Sequence, residues 1–345
     1  MARRYLTQRQ REQIRQTREQ RHRKAAERLA RRVETPSGSS LGPEQTGLVI
    51  TNHGPALIVE NQQGRLYRCM VRQHLGILVC GDRVIWQASG PDEGVVIAVE
   101  ERRSLLSRPD YSGRLKPLAA NVDQVVVVVA PQPAWQEYLI DCYLVAIAAM
   151  GVDPLLVVNK ADLLDAAGLA ALTVLDIYRR IGYPILFASI RTVHGLTALR
   201  DGLKGRTAIL VGQSGVGKSS LIKALLPHRD IHIRALSEAT GHGTHVTTTT
   251  TLYHLPDGGA LIDSPGVRRF ALGALSAAEV EQGFVEFAPY QGRCRFSDCS
   301  HTVEPDCALL AAVERGDINP RRLQSYHQIK NALRNRLTSS SPLAG

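Results

Sequence analysis

The sequence has few aromatic residues, few cysteines and no long apolar run. Aromatic side chains make up 5% of the 345 residues, and there are six cysteines. No apolar run approaches the roughly 18 residues that a membrane span needs, so we expect no membrane partner. The N-terminus lacks the apolar core of a secretion signal, which predicts a cytoplasmic protein. In that compartment the cysteines are expected to be thiols or metal ligands before disulfides.

Acidic residues are scarce at the N-terminus. Residues 1–35 contain twelve Lys or Arg against four Glu, a net charge of +8, which leaves +2 of the total of +10 for the rest of the chain. A basic arm on a nearly neutral body suggests a polyanionic partner. A solvated tail without a partner is the alternative.

The pattern of apolar and turn residues predicts a multidomain protein with three folded parts. Residues 1–45 are assigned to the basic arm and a Pro/Gly/Ser-rich linker. Residues 46–105 predict a small β-barrel of the oligonucleotide-binding type, although a purely structural barrel would have the same pattern. Residues 106–275 alternate strands and helices, which indicates a largely parallel α/β sheet covered on both faces. Residues 276–345 are helix-rich and contain cysteines.

The predicted elements are short and regularly spaced. Barrel strands are predicted at residues 47–50, 56–59, 66–71, 82–86 and 94–99. The α/β strands are predicted at residues 123–130, 154–158, 185–188, 208–211 and 260–262. The α/β helices are predicted at residues 135–150, 164–181, 196–203 and 218–226.

A phosphate loop, GQSGVGKSS, lies between a predicted strand and a predicted helix, which is the context that this motif requires. Lys218 is predicted to bridge the β- and γ-phosphates as a catalytic residue, and the Ser219 hydroxyl to ligate Mg²⁺. The nucleotide contacts predicted from this loop are Gly212, Gln213, Ser214, Gly215, Val216, Gly217, Lys218, Ser219 and Ser220.

A guanine-recognition motif, Asn159-Lys160-Ala161-Asp162, follows another predicted strand. A carboxylate accepts hydrogen bonds from guanine N1–H and its exocyclic amine, whereas adenine would leave the Asp162 charge unpaired. Ser189, after the next strand, fits the loop that accompanies such a motif. Taken alone, the motif could also be a helix start capped by Asp162.

The run Asp-Ser-Pro-Gly predicts the second half of a GTPase switch. Asp263 is expected to hold Mg²⁺ through a water, and the Gly266 N–H to sense the γ-phosphate. Thr247 is the predicted ligand of Mg²⁺ and γ-phosphate on the preceding threonine-rich loop, with Thr248 as the alternative.

A water-orienting glutamine is missing after this switch motif, where the chain has Val267. Slow intrinsic hydrolysis is therefore expected. His245 is the candidate that supplies the missing catalytic group.

Four soft ligands lie close together near the C-terminus: Cys294, Cys299, His301 and Cys307. Three thiolates and an imidazole complete a tetrahedral Zn²⁺ shell, so one structural zinc ion is predicted. The other cysteines are predicted to be small core residues: Cys69, Cys80 and Cys142.

The guanine motif precedes the phosphate loop, which reverses the usual order of a GTPase. This order, the switch pattern Gly243-x-His245-x-Thr247-Thr248 and the zinc spacing resemble the circularly permuted ribosome-biogenesis GTPases, the family of ribosome small subunit-dependent GTPase A. The resemblance covers residues 46–335, and Val246 stands where the family usually has a first threonine. It implies an oligonucleotide-binding barrel, a permuted GTPase domain and a C-terminal zinc domain. It also implies binding to the small ribosomal subunit and its rRNA late in maturation, with GTP hydrolysis stimulated by the subunit.

Two other functional classes remain open from the sequence. One is a nucleic-acid-binding module in which GTP and GDP bind but turnover is incidental. The other is a P-loop ATPase or kinase with an accidental guanine motif. For the leading hypothesis we expect a monomer in which the GTP-dependent switch repositions RNA-contacting domains, the zinc domain in particular.

Overall fold

The structure is a computed structural model that describes residues 41–54, 56–72, 75–109, 114–164, 173–228, 249–264 and 275–339. The basic arm lies outside the described residues. So do three predicted site residues, His245, Thr247 and Gly266, and the alternative Thr248.

The first five strands form a closed barrel. Their order around the barrel is β1-β2-β3-β5-β4, and β4 pairs again with β1. Two glycines make room for the barrel core, because a Cβ on Gly47 or Gly94 would lie 2.8 or 2.6 Å from the buried ring of Trp86. The predicted small barrel is thus confirmed. The strands are β1 (Glu44–Asn52), β2 (Ala56–Asn61), β3 (Leu66–Val71), β4 (Arg83–Ala88) and β5 (Glu93–Val99).

A two-stranded hairpin that the sequence analysis did not predict follows the barrel. It consists of β6 (Leu105–Pro109) and β7 (Leu115–Ala120). The backbone N–H of Ala120 donates to the Cys80 carbonyl at 2.9 Å, which attaches the hairpin to the barrel. The hairpin begins at Leu105, the last residue of the predicted barrel domain, and that domain boundary stays a prediction.

The middle of the chain forms an α/β sheet in the order β10-β9-β8-β11-β13-β12, in which only β12 runs antiparallel. Alternate residues of the fully buried β8 face opposite sides of the sheet. One side packs against α1 and α2, and the other against α3 and α4. The predicted parallel sheet with two covered faces is therefore confirmed. The strands are β8 (Gln124–Val129), β9 (Asp153–Asn159), β10 (Ile185–Ala188), β11 (Thr207–Val211), β12 (Thr251–His254) and β13 (Ala260–Asp263). The helices are α1 (Glu137–Ala149), α2 (Thr173–Ile181), α3 (Thr197–Leu203) and α4 (Lys218–Leu225).

The C-terminal part contains α5 (Ala277–Gln282), a 3-10 helix (Val285–Tyr290), α6 (Ala308–Glu314) and α7 (Pro320–Ser339). Helix α5 begins with a capping box, in which Ser276 Oγ accepts from the Glu279 N–H at 3.2 Å and Glu279 Oε2 accepts from the Ser276 N–H at 2.7 Å. The apolar core of this C-terminal part includes two residues of α1, Cys142 and Val145. The C-terminal helices and α1 therefore share one core. Within the described part of the chain, no helix has the length and apolarity to cross a membrane.

Candidate functional site

The parallel strands β8, β9, β10, β11 and β13 end at one edge of the sheet. From β8 the chain continues to β9 and then β10 on one side. Strand β11 pairs with β8 on its other side, and β13 lies next to β11. A crevice at the carboxyl ends is expected where the strand order reverses in this way. The predicted phosphate loop follows β11 and the predicted guanine motif follows β9, so both face this crevice.

Three glycines shape the phosphate loop. Gly212, Gly215 and Gly217 have φ angles of 138°, 85° and 91°, which side chains with a Cβ rarely adopt. A Cβ on Gly212 would also collide with the Val128 carbonyl, and one on Gly217 with the Asn159 side chain. The loop therefore requires glycine at these positions, as a backbone cradle for phosphate does.

Lys218 and Ser219 begin helix α4 directly after this loop. The Lys218 ammonium donates hydrogen bonds to the carbonyl oxygens of Gly212 and Gln213, both at 2.7 Å. It thus lies across the loop, next to the helix N-terminus that favours an anion. Ser219 is exposed, so its hydroxyl is accessible to a cation held by bound phosphates. Of the remaining loop residues, Val216 is buried, whereas Ser214 and Ser220 are exposed.

Tyr143 supports the phosphate loop, and the sequence analysis did not identify it. This side chain of α1 is 5% exposed. Burial raises the pKa of Tyr143, while a hydrogen bond with the Gly212 backbone acts in the opposite direction. The phenol therefore stays neutral and fixes the first residue of the loop. A tyrosine inside an apolar helix carries no motif that would have revealed this contact.

The guanine motif is bonded directly to the phosphate loop. Asn159 Nδ2 donates to the Val216 carbonyl at 2.8 Å. Lys160 Nζ donates to the carbonyls of Gly215 at 2.8 Å and Gln132 at 2.7 Å. Asn159 Oδ1 is buried and has no hydrogen-bond partner among the described residues. The two predicted motifs are thus one structural unit, despite their reversed order in the chain.

Asp162 and Ser189 lie together beside this unit. Ser189 Oγ donates to Asp162 Oδ1 at 2.5 Å, and Ser189 is 2% exposed. Asp162 lies inside the short 3-10 helix Ala161–Leu163, whose cap residue is Lys160 and has no side-chain cap hydrogen bond. The start of the predicted helix after Leu164, which Asp162 would cap in the alternative interpretation, lies outside the described residues. An exposed carboxylate held by a buried serine is suited to accept hydrogen bonds from a base.

Asp263 is the last residue of β13, at the same edge of the sheet. It lies opposite Thr251 of the neighbouring strand β12. The next residue, Ser264, accepts a hydrogen bond at Oγ from Thr250 Oγ1 at 2.9 Å. The roles assigned to Asp263, Thr247 and Gly266 at the magnesium ion and γ-phosphate stay predictions.

The predicted zinc ligands meet in the C-terminal part. The ligand atoms of Cys294, Cys299, His301 and Cys307 all lie within 4.8 Å of one another. His301 Nδ1 is 3.6 Å from Cys294 Sγ and 3.3 Å from Cys307 Sγ. Burial raises the pKa of the Cys299 thiol to about 12, and the neighbouring thiols act in the same direction. The donor set of three cysteines and one histidine, and the spacing of their ligand atoms, fit a divalent soft metal such as zinc.

Two further groups orient His301. Its second ring nitrogen, Nε2, is 3.6 Å from Glu281 Oε2, and its carbonyl oxygen is 3.0 Å from His327 Nε2. An imidazole that faces ligands with one nitrogen and a carboxylate with the other is typical of a metal-binding histidine.

The comparisons with known proteins agree with this geometry. The sequence model of the RsgA GTPase family matches residues 99–273. A relative from Azotobacter vinelandii, named small ribosomal subunit biogenesis GTPase RsgA, is 51% identical over 340 residues, which cover 96% of this chain and 98% of the relative. The chain belongs to the RsgA GTPase family. A Pseudomonas aeruginosa relative of the same name is 50% identical over 332 residues, which cover 95% of this chain and 97% of that one.

Two solved structures resemble this RsgA-family chain along most of its length. YjeQ from Thermotoga maritima has a TM-score of 0.71 and 33% identity, and the match covers 84% of this chain and 99% of YjeQ. YloQ, described as a circularly permuted GTPase, has a TM-score of 0.68 and 26% identity over 88% of this chain and 98% of YloQ. The predicted permuted GTPase fold and the GTPase activity are thereby confirmed.

Proposed function

We propose that this RsgA-family GTPase acts on the small ribosomal subunit late in its maturation, in the cytoplasm and as a monomer. The observation that carries the proposal is the hydrogen-bonded unit of Asn159, Lys160 and the phosphate loop, which supports a site for GTP. The names of the relatives supply the small subunit as partner. The arm of net charge +8 supports contact with rRNA.

Nucleotide binding is assigned to the predicted residues. Ser189 and the guanine motif would contact the base, and the phosphate loop the phosphates. Mg²⁺ accompanies GTP and would be held by Ser219, Thr247 and Asp263, where it neutralises charge on the phosphates. This chain's own contribution is to position the γ-phosphate through Lys218 and Gly266. The contacts proposed for the base are Asn159, Lys160, Ala161, Asp162 and Ser189.

Hydrolysis is proposed to depend on the subunit, since Val267 cannot orient a water. Turnover of GTP should rise on addition of purified small subunits and stay at its basal rate with large subunits. His245→Ala should abolish the stimulated turnover and leave GTP affinity unchanged. Multiple-turnover assays with both subunits, alongside binding of a fluorescent GTP analogue, measure these outcomes. Equal stimulation by both subunits would remove the small subunit from the proposal, and normal turnover of the variant would remove His245.

The second candidate is an RNA-binding module in which GTP turnover is incidental, and the barrel and basic arm favour it. The same assay separates the two candidates. RNA binding that is indifferent to the bound nucleotide, with turnover unchanged by subunits, would support the second candidate.

The zinc ion is proposed to be structural. Cys299→Ser should lower the zinc content from about one ion per chain to nearly none and lower the melting temperature. Cys69→Ala is the control, because Cys69 lies in the barrel core and should leave the zinc content unchanged. Elemental analysis of both purified variants decides the point. A full complement of zinc in Cys299→Ser would contradict the assigned ligand set.

A further inference from the structure

A barrel residue, Thr51, contacts the strand that follows the threonine-rich loop of the GTPase domain. Strands β1 and β12 pair at Thr51 and Thr251, which joins the barrel to the α/β sheet. Thr51 is fully buried, and its Oγ1 donates to the Thr250 carbonyl at 3.0 Å. Thr251 Oγ1 is 3.5 Å from the same hydroxyl. The barrel therefore reaches the GTPase chain through the hydroxyl of one buried side chain.

The contact extends from Thr250 to the second switch motif. Thr250 Oγ1 donates to Ser264 Oγ at 2.9 Å, and Ser264 directly follows Asp263. A continuous series of contacts thus runs from Thr51 through Thr250 to Ser264. Thr250 follows the proposed ligand Thr247 on the threonine-rich loop, and Ser264 lies between the proposed contacts Asp263 and Gly266.

The junction between the barrel and the sheet also contains apolar contacts, because Ile50 and Ile58 of the barrel belong to the same buried cluster as Leu252 and Ile262 of the sheet. A cleft of about 530 Å³ separates them on one side, with Gly47 of the barrel and Ala260 of the sheet among its lining residues. One ion pair, His254 Nε2 to Glu60 Oε2 at 2.6 Å, crosses between β12 and β2. Apolar packing has no preferred direction, so the buried Thr51 hydroxyl is the contact that fixes the Thr250 carbonyl.

We propose that Thr51 is a positioning residue for the GTP-bound switch, supplied by the barrel. The inference rests on the proposed GTP site at Asp263. Thr51 holds the Thr250 carbonyl, and Thr250 holds Ser264, so the barrel sets the geometry of the Asp263 segment. By linkage, a partner that shifts the barrel changes the affinity for GTP more than for GDP, because only GTP has the γ-phosphate that the switch contacts.

The test compares two valine variants on the same strand. Thr51→Val keeps the side-chain volume and removes the hydroxyl. Thr46→Val removes a hydroxyl of β1 that accepts from Gln62 Nε2 at 2.8 Å within the barrel, so it is the matched control. Dissociation constants for GDP and for a non-hydrolysable GTP analogue are measured with magnesium in the full-length protein.

We expect Thr51→Val to weaken binding of the GTP analogue about threefold to tenfold, as the loss of one buried hydrogen bond predicts, and to leave GDP binding within about twofold. Thr51→Ser, which keeps the hydroxyl, should restore the wild-type ratio of the two constants. Thr46→Val should leave that ratio unchanged. An unchanged ratio in Thr51→Val, or an equal loss for both nucleotides, would overturn the proposal.

If Thr51→Val does not fold, Thr250→Val takes its place, because it removes only the hydroxyl that bonds Ser264. The same selective loss of analogue binding is expected, and an unchanged ratio again overturns the proposal. Wild-type protein that binds neither nucleotide would instead contradict the proposed GTP site. The two failures are therefore distinguishable.

Discussion

Asp162 is held in place before any base is bound. Its carboxylate accepts from Ser189 Oγ, and Ser189 also accepts from the Arg191 N–H at 3.1 Å. Because these bonds hold the loop in place, the Asp162 carboxylate needs little rearrangement to accept hydrogen bonds from a guanine. Selection of the base therefore depends on whether the base offers donors to this carboxylate.

Replacing Asp162 with Asn should change which nucleotide binds. The amide has a donor where the carboxylate had only acceptors, so guanine loses a partner while xanthine, which has a carbonyl in place of the amine, gains one. We expect GTP affinity to fall about 10- to 100-fold and xanthosine triphosphate affinity to rise, with ATP still excluded. Competition binding with the three nucleotides measures this.

Asp176→Asn serves as its control, because Asp176 is an exposed residue of α2 paired with Arg179. It should leave all three affinities unchanged. Retention of wild-type GTP preference by Asp162→Asn would mean that another group reads the base.

At the residue scale, the sequence predicts the site where a backbone motif defines it. The glycines around Lys218 and the Asn159 motif follow from local geometry, so they could be recognised one by one. Tyr143 and the Gln132 carbonyl could not, because they reach the site through tertiary packing of α1 and of the loop before it. A hydroxyl or a carbonyl at such a position has no characteristic spacing.

At the scale of elements, a buried arginine joins the C-terminal part to the GTPase domain. Arg322 of α7 is 1% exposed and donates to Asp141 of α1 and to Glu286 at 2.6 Å. Burial lowers the pKa of Arg322, but the charges and hydrogen bonds of Asp141 and Glu286 outweigh it, so the pKa is raised. The guanidinium stays charged and also stacks 4.4 Å from the Phe284 ring. Helices α1 and α7 therefore form one unit.

Removal of this arginine should be costly. Arg322→Met leaves two carboxylates buried without their cation, and we expect a loss of about 3–5 kcal/mol in the free energy of unfolding. Arg321→Met is the matched control on the same helix, since Arg321 pairs with Glu137 at the surface and is 58% exposed. That pair should contribute at most about 1 kcal/mol. Denaturant unfolding of both variants tests the difference, and equal losses would show that the buried pair does not hold the helices together.

The sequence predicted elements well where the pattern is local. The strand Leu66–Val71 begins and ends where it was predicted, and α3 differs by one residue at its start. The hairpin β6–β7 was missed, because Pro109 and Pro117 disfavour strands in a sequence-based prediction. Pairing of β1 with β12 was also missed, since it joins residues far apart in the chain and leaves no local pattern.

At the scale of the whole molecule, the two flanking parts are attached differently. The C-terminal helices share an apolar core and the Arg322 pairs with α1. The barrel pairs with β12 at Thr51 and contributes Ile50 and Ile58 to the apolar cluster of the sheet, beside an open cleft. Because Thr51 bonds Thr250 and Thr250 bonds Ser264, we infer that a nucleotide-dependent shift near Asp263 is transmitted to the barrel. This refines the sequence-based hypothesis, which assigned the movement to the zinc domain.

The basic arm should determine how RNA binding depends on salt. Residues 1–35 carry a net charge of +8, whereas the rest of the chain carries +2. Each phosphate that the arm neutralises releases counterions, so the slope of log affinity against log salt becomes steeper by nearly one unit per contact. Deletion of residues 1–35 should flatten this slope by several units and weaken binding to small-subunit RNA most at low salt. GTP affinity should be unaffected, because the site of Asn159 and Lys218 lies in the α/β sheet. Filter-binding titrations from low to high salt measure the slope, and an identical slope for both proteins would show that the arm is a solvated tail.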